Sequence, residues 1–298
     1  MTKDTTKDAI VPFYVLSNQV RGRMVDLSEV SFEILAPHNY PPAVNYALLE
    51  LMALTAALLN CFKFEGQFTV QISADGPIRM LVVDMTSDAK MRACATFDKE
   101  AVVALDPHKI SVQDLFKSGY LAFTIDPGRE GMDRYQGVVA LEGETLSDCL
   151  NHFFRQSEQL ETAFKVTQME HTVRCLMLQR LALDPNTTEV EKDLAREEWV
   201  HAMAVLGTVK NSELLQDDAA TLTRKLFWEK GVVVNPSIPI HSYCRCSHDR
   251  LLETLKTFKQ ENLMPLAKNG VIDAVCDFCS KKYTYNLLDL IAPEGGKQ

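Results

Sequence analysis

The residues best equipped for chemistry in this 298-residue chain are four of its eight cysteines. They arrive in two tight pairs, Cys244-Arg245-Cys246 and, after 29 residues, Cys276-Asp277-Phe278-Cys279. Four soft donors converging on one point suit a tetrahedral four-thiolate zinc site, one ion per reduced chain. Each pair holds two sulfurs close together, and the stretch between the pairs has to fold back only once. The same spacing allows a second covalent state. Partners two or three residues apart reach the roughly 4.4–6.8 Å Cα separation of a disulfide, so oxidation can join Cys244 to Cys246 and Cys276 to Cys279. His241 and His248 flank the first pair. Four thiolates already close a structural zinc site, so both histidines read as surface residues.

The other cysteines lie in apolar patterns. Cys61 ends an apolar helix, Cys94 sits in a strand, Cys149 is on a helical stripe and Cys175 lies within Val173–Leu178. They read as small core hydrophobes, since reactive thiols need exposed, electropositive surroundings. No phosphate-binding glycine loop, dinucleotide fingerprint or nucleophile elbow occurs. No spacing marks a general acid or base, so no catalytic residue is expected. A net charge of −9 and a pI near 5.3 argue against nucleic acid as the main partner. No run of eighteen apolar residues predicts a membrane span. Met1 to Asp4 lack a signal-peptide core, which makes the cytoplasm the expected compartment, where thiols stay reduced.

The elements that must position the cysteines come next. Residues 11–25 read as strands. Ser28 is the expected N-cap of a short helix through Leu35, and Pro41-Pro42 open a longer one with Leu48, Leu51, Met52, Thr55, Leu58 and Leu59 on one face. Phe62, Phe64, Phe68, Val70 and Ile72 alternate, and Ile78–Val83, Met91–Phe97, Gly119–Ile125 and Tyr135–Leu141 continue the strand pattern. Closely spaced strands predict antiparallel sheets rather than βαβ units. Thr145 starts a helix carrying Leu146, Cys149, Leu150, Phe153 and Phe154.

The composition shifts after Leu183. An acid-rich stretch over 189–198 leads into Trp199, Val200, Met203, Ala204 and Leu206, and a second helix is expected from about Ser212 to Trp228 with Leu214, Leu215, Leu222, Leu226 and Phe227. Such modest apolar faces need a surface to dock on. Asn235–Pro239 reads as a linker. In the last sixty residues Ser247 caps a helix with Leu251, Leu252, Leu255 and Phe258, Asn269-Gly270 makes a tight turn, and Tyr283 and Tyr285 alternate. The expected class is α+β, in three parts. Residues 1–183 form a core of antiparallel sheets packed with helices, 184–240 a metastable helical linker, and 241–298 a zinc module too small to fold without a staple.

The cysteine layout at the C-terminal end of a chain this long resembles the 33-kDa heat-shock protein family of redox-switched holdase chaperones. So do Val20-Arg21-Gly22, Asn39-Tyr40-Pro41, Asp75-Gly76-Pro77, Arg134-Tyr135-Gln136-Gly137, Leu141-Glu142-Gly143 and Ser157-Glu158-Gln159-Leu160, in that order. The chain departs from the pattern near residue 170, where Glu170-His171-Thr172-Val173 stands in place of a glycine-rich turn. The resemblance implies an ATP-independent, non-enzymatic holdase that takes partly unfolded clients and dimerises when oxidised. In its reduced state it is zinc-bound and inactive. In its oxidised state the disulfides form, the metal leaves and the linker unfolds. Two other classes stay open on the residues alone: a zinc-ribbon protein that binds nucleic acid or another protein, and a thiol–disulfide oxidoreductase using Cys276 and Cys279.

Overall fold

The structure, a computed structural model, describes residues 7–15, 19–59, 61, 65–106, 111–128 and 134–291. It divides into two compact units, Met1–Ser242 and Tyr243–Gln298. The first begins with the antiparallel pair β1 (Ala9–Val15) and β2 (Val20–Leu27), then α1 (Glu29–Leu35) and α2 (Pro42–Leu58). Next come β3 (Gln67–Ala74), β4 (Ile78–Thr86), β5 (Lys90–Phe97), the short helices α3 (Lys99–Val103) and α4 (Val112–Phe116), β6 (Gly119–Asp126), β7 (Tyr135–Ala140) and α5 (Leu146–Phe153). The hairpin β8 (Thr162–Met169) and β9 (Thr172–Arg180) precedes α6 (Glu189–Thr208), α7 (Asn211–Gln216) and α8 (Ala219–Leu226). Three short strands, β10 (Val232–Val234), β11 (Ile238–Pro239) and β12 (His241–Ser242), complete the unit.

Two sheets result. The first runs β10-β1-β2-β9-β8, with β11 also on β1; the second runs β12-β5-β4-β3-β6-β7. Every named pairing in the two is antiparallel except β12 with β5. The α+β class follows. Helix α2 lies between the sheets, touching β2, β8 and β9 of one and β4 and β5 of the other. It is therefore buried nearly all round, Ala43, Val44, Leu49 and Leu54 included, and not only along the one face its leucines predict.

The sheets differ in how they are covered. Strand β3 alternates, with Phe68, Val70 and Ile72 buried between half-buried neighbours, because one face of its sheet meets water. In β2 and β9 buried residues run on almost without a break, the mark of a sheet covered on both faces. The second cover is α6–α8. Trp199, Leu206, Leu214, Leu222 and Phe227 pack there on Phe13, Val15, Met24 and Leu178, with the Phe13 and Phe227 rings 5.6 Å apart. Gly22 sits opposite Phe13, and a Cβ on it would lie 2.0 Å from that ring. That is the physical content of the Val20-Arg21-Gly22 signature: the missing side chain lets Phe13 lie across the neighbouring strand.

Several expectations need correction. Ser28 occupies the N-cap of α1 without capping it; the Asp8 carboxylate, from across the chain, accepts the N–H groups of Ser28, Glu29 and Val30 at 2.8, 3.1 and 3.0 Å. The buried stripe of α6 is Ala195, Trp199, Ala202 and Leu206, while Val200 and Met203 face solvent. The helix expected over 212–228 breaks at Asp217-Asp218, because the Asp218 carboxylate caps α8 by accepting from the N–H of Thr221 at 2.9 Å. Trp228 is 72% exposed. Residues 235–239 are no free linker, since β10 and β11 pair with β1. The β8–β9 turn dispenses with glycine, Glu170 itself taking φ 54. The alternation at Phe62 and Phe64 lies outside the described residues.

The second unit contains α9 (His248–Lys256), α10 (Gln260–Leu263), β13 (Val271–Val275), β14 (Lys282–Asn286) and α11 (Leu287–Ile291). Its core cluster is Leu263, Ile272, Tyr283, Tyr285 and Leu290, with Leu251, Leu252 and Leu255 partly covered against them. Phe258, expected on that stripe, is exposed. No helix of the described residues is long and apolar enough to cross a membrane.

Candidate metal centre

Local structure aims each cysteine pair. Ser247, directly after the first pair, accepts the N–H of Arg250 at 3.2 Å and starts α9. The second pair forms the turn between β13 and β14. Val275 pairs with Lys282, Cys276 N–H donates to Lys281 O at 3.0 Å, and Ser280 N–H returns to Cys276 O at 2.8 Å. At the other end of β13, Asn269 and Gly270 take φ 53 and 80. Two successive left-handed residues make the tight turn that their sequence predicts.

The result is convergence. The sulfurs of Cys244, Cys246, Cys276 and Cys279 all lie within 4.8 Å of one another. Cys244 Sγ is 3.7 Å from Cys276 Sγ, and Cys246 Sγ is 3.4 Å from Cys279 Sγ. All four are free thiols; a disulfide would bring two sulfurs to about 2.0 Å. A tetrahedron with Zn–S bonds of roughly 2.3 Å has edges of about 3.8 Å, so the donor set fits a zinc ion in type, number and spacing. His241 is instead in β12 and His248 begins α9 with its ring 4.6 Å from that of Tyr285.

The thiols are not equivalent. Burial opposes ionisation of Cys246, but donors from the Tyr283 hydroxyl and from Cys279, Cys244 and Cys276 outweigh it and bring the thiol down to about 7. Tyr283 Oη lies 3.2 Å from Cys246 Sγ, and that bond raises the tyrosine in turn. Burial raises Cys276 and Cys279. The sequence offered no sign of the Tyr283 contact, because alternation marks that residue only as core. Cys244, Cys246, Cys276 and Cys279 would hold a divalent ion as thiolates, so binding it would release their protons.

The remaining cysteines are elsewhere. Cys94, Cys149 and Cys175 are buried; burial pushes Cys149 up to about 12 and Cys175 higher still, so neither is poised as a thiolate. Cys61 is half-buried, and the Arg23 guanidinium donates to its sulfur. The Cys276–Cys279 pair, at a hairpin turn, lacks the helix N-terminus that activates thioredoxin-type thiols.

Comparison with known proteins bears on nearly the whole chain. Residues 8–286 match the family model described as Hsp33 protein. A 33 kDa chaperonin of Pseudomonas syringae pv. syringae is 35% identical over 275 residues, 92% of this chain and 89% of that one. A 33 kDa chaperonin of Shewanella loihica is 33% identical over 288 residues, 96% of each chain. The crystal structure of a 33 kDa chaperonin from Thermotoga maritima shares the fold, with a TM-score of 0.77 at 20% identity over 95% of this chain and 96% of that one.

Proposed function

The chain belongs to the Hsp33 protein family, and with it to the chaperones, and on that premise we propose that it is an ATP-independent holdase switched by oxidation. The observation that carries the reading is the apolar face of the first sheet, already formed in the folded chain and hidden beneath α6–α8. A surface of that kind, once uncovered, binds unfolding chains. In this reading residues 1–183 are the stable core, 184–240 the removable cover and 241–298 the sensor, in a reducing cytoplasm.

When bound, zinc would hold the four sulfurs as thiolates and staple a module whose own core is small. Peroxide takes two electrons from each pair: one thiolate becomes a sulfenic acid with release of hydroxide, and its partner displaces a second hydroxide to form the disulfide. Cys244–Cys246 and Cys276–Cys279 are the pairings favoured by short separation along the chain, which persists once the metal has left and the module loosens. Once both have formed, no thiolate is left to hold a metal. The second unit then loses its staple, and the cover loses order next, an order–disorder transition. Trp199, Leu226 and Phe227 come free with Phe13 and its neighbours, for partly unfolded clients or for a second copy of the oxidised chain.

The test is an aggregation assay with a thermally unfolding client. Peroxide-treated protein should suppress light scattering and zinc-bound reduced protein should not, with peptide mapping of the disulfides alongside. Equal suppression by the two forms, or activation with zinc still bound, would falsify the mechanism.

A further inference from the structure

We propose that the Arg174 guanidinium is the latch that fastens α6–α8 to the first sheet. The inference rests on the reading of these helices as a removable cover. Most of the seam is aliphatic and aromatic, and such contacts have little directionality. Arg174 supplies the direction. It lies in β9 opposite Asp26 of β2, and its Nη2 meets Asp26 Oδ2 at 2.6 Å. Its Nη1 reaches out of the sheet to the end of α7, donating to Leu214 O at 3.0 Å and to Asp217 O at 2.6 Å.

Those two carbonyls need such a donor. The last C=O groups of a helix have no partner within it and form the negative end of its dipole. Helix α7 has only six residues and closes at Asp217, so a cation at its end supports much of the element. Lys225 of α8 lies 3.4 Å from Glu213 and 3.5 Å from Asp217, which ties the next helix to the same point. Asp26, 1% exposed, keeps the guanidinium neutralised inside the sheet, so that one planar group is shared between a core carboxylate and a cover backbone. Arginine alone has this reach and fork geometry.

The experiment uses the full-length, reduced, zinc-loaded chain. In the double variant Asp26→Leu/Arg174→Leu both charges go together, so neither is left buried alone, and such replacement usually preserves a core. Hydrogen exchange over 211–226 should accelerate at least tenfold while zinc content and protection of β2 and β9 hold, and the variant should suppress client aggregation without peroxide. Unchanged exchange over 211–226 would overturn the latch. If β2 and β9 also lose protection, Arg174→Lys decides: it keeps the pair with Asp26 but not the fork, and an increase under threefold over 211–226 overturns the proposal. Should oxidised wild type fail to hold clients, it is the holdase reading that fails, and the exchange data still judge the latch.

Discussion

Replacing Glu50 with glutamine should make the protein more stable, and increasingly so as pH rises. Glu50 lies on α2 beside a cavity of about 360 Å³, also lined by Tyr46, Leu115, Ser147, Phe164 and Gln168. Burial pushes its carboxyl from 4.5 up to about 7; the Ser147 hydroxyl, 3.3 Å away, and the Ser147 backbone offset this only in part, and Asp148 adds to it. Because the folded value is raised, the unfolded chain holds fewer protons than the native one between 4.5 and 7. Stability therefore falls as pH climbs through that window, and the loss is complete above it. At roughly 1.36 kcal/mol per tenfold change in proton affinity, the rise from 4.5 to about 7 bounds the full effect near 3 kcal/mol. Glutamine keeps the volume and an acceptor for Ser147 but cannot ionise. Urea unfolding of zinc-saturated wild type and Glu50→Gln, followed by far-UV circular dichroism, should show the variant's advantage widening by about 2 kcal/mol between pH 5 and pH 8. An advantage that is the same at both pH values refutes the reasoning.

Three further outcomes are expected. Cys276→Ser/Cys279→Ser should lose its zinc by metal analysis and, with it, the amide dispersion of the second unit, since structural zinc contributes about 10–16 kcal/mol to such modules. Phe227→Ala removes a fully buried ring from the seam, at a cost of about 3–5 kcal/mol; exchange over α6–α8 and reduced-state suppression of client aggregation should both rise. Gly22→Ala drives a methyl into the Phe13 ring and should lower the unfolding midpoint by the equivalent of about 1–3 kcal/mol.

What the sequence revealed depended on how local the cause was. Hydrophobic alternation and turn residues are local, and they foretold β3, β14 and the Asn269-Gly270 turn. The Cys pairs were equally plain, since two short spacings leave few ways to arrange four sulfurs. Asp8 capping a helix twenty residues on, and Arg174 capping one forty residues on, are contacts made by the fold, and no window of sequence contains them. The strand Val232–Val234 was obscured for a related reason: three valines beside a Pro-rich stretch become a strand only because β1 offers a free edge. In α6 the exposed Val200 and Met203 misled, because apolar residues occur on both faces of this helix and only its docking on the sheet decides which are buried.

The pairing of β10 and β11 with β1 bears on the proposed release of α6–α8. The 51 residues between Arg180 and Val232 start at one strand of a sheet and return to another strand of the same sheet. While that zipper holds, a melted cover is a closed loop and not a free tail. Closing a chain of that length costs at least about 3.5 kcal/mol of entropy, and this counts against the melted state. The tether also keeps the helices at high effective concentration over the face they left. A client would thus compete with an intramolecular rival that never diffuses away, and restoring the thiolates would tip that competition back toward release.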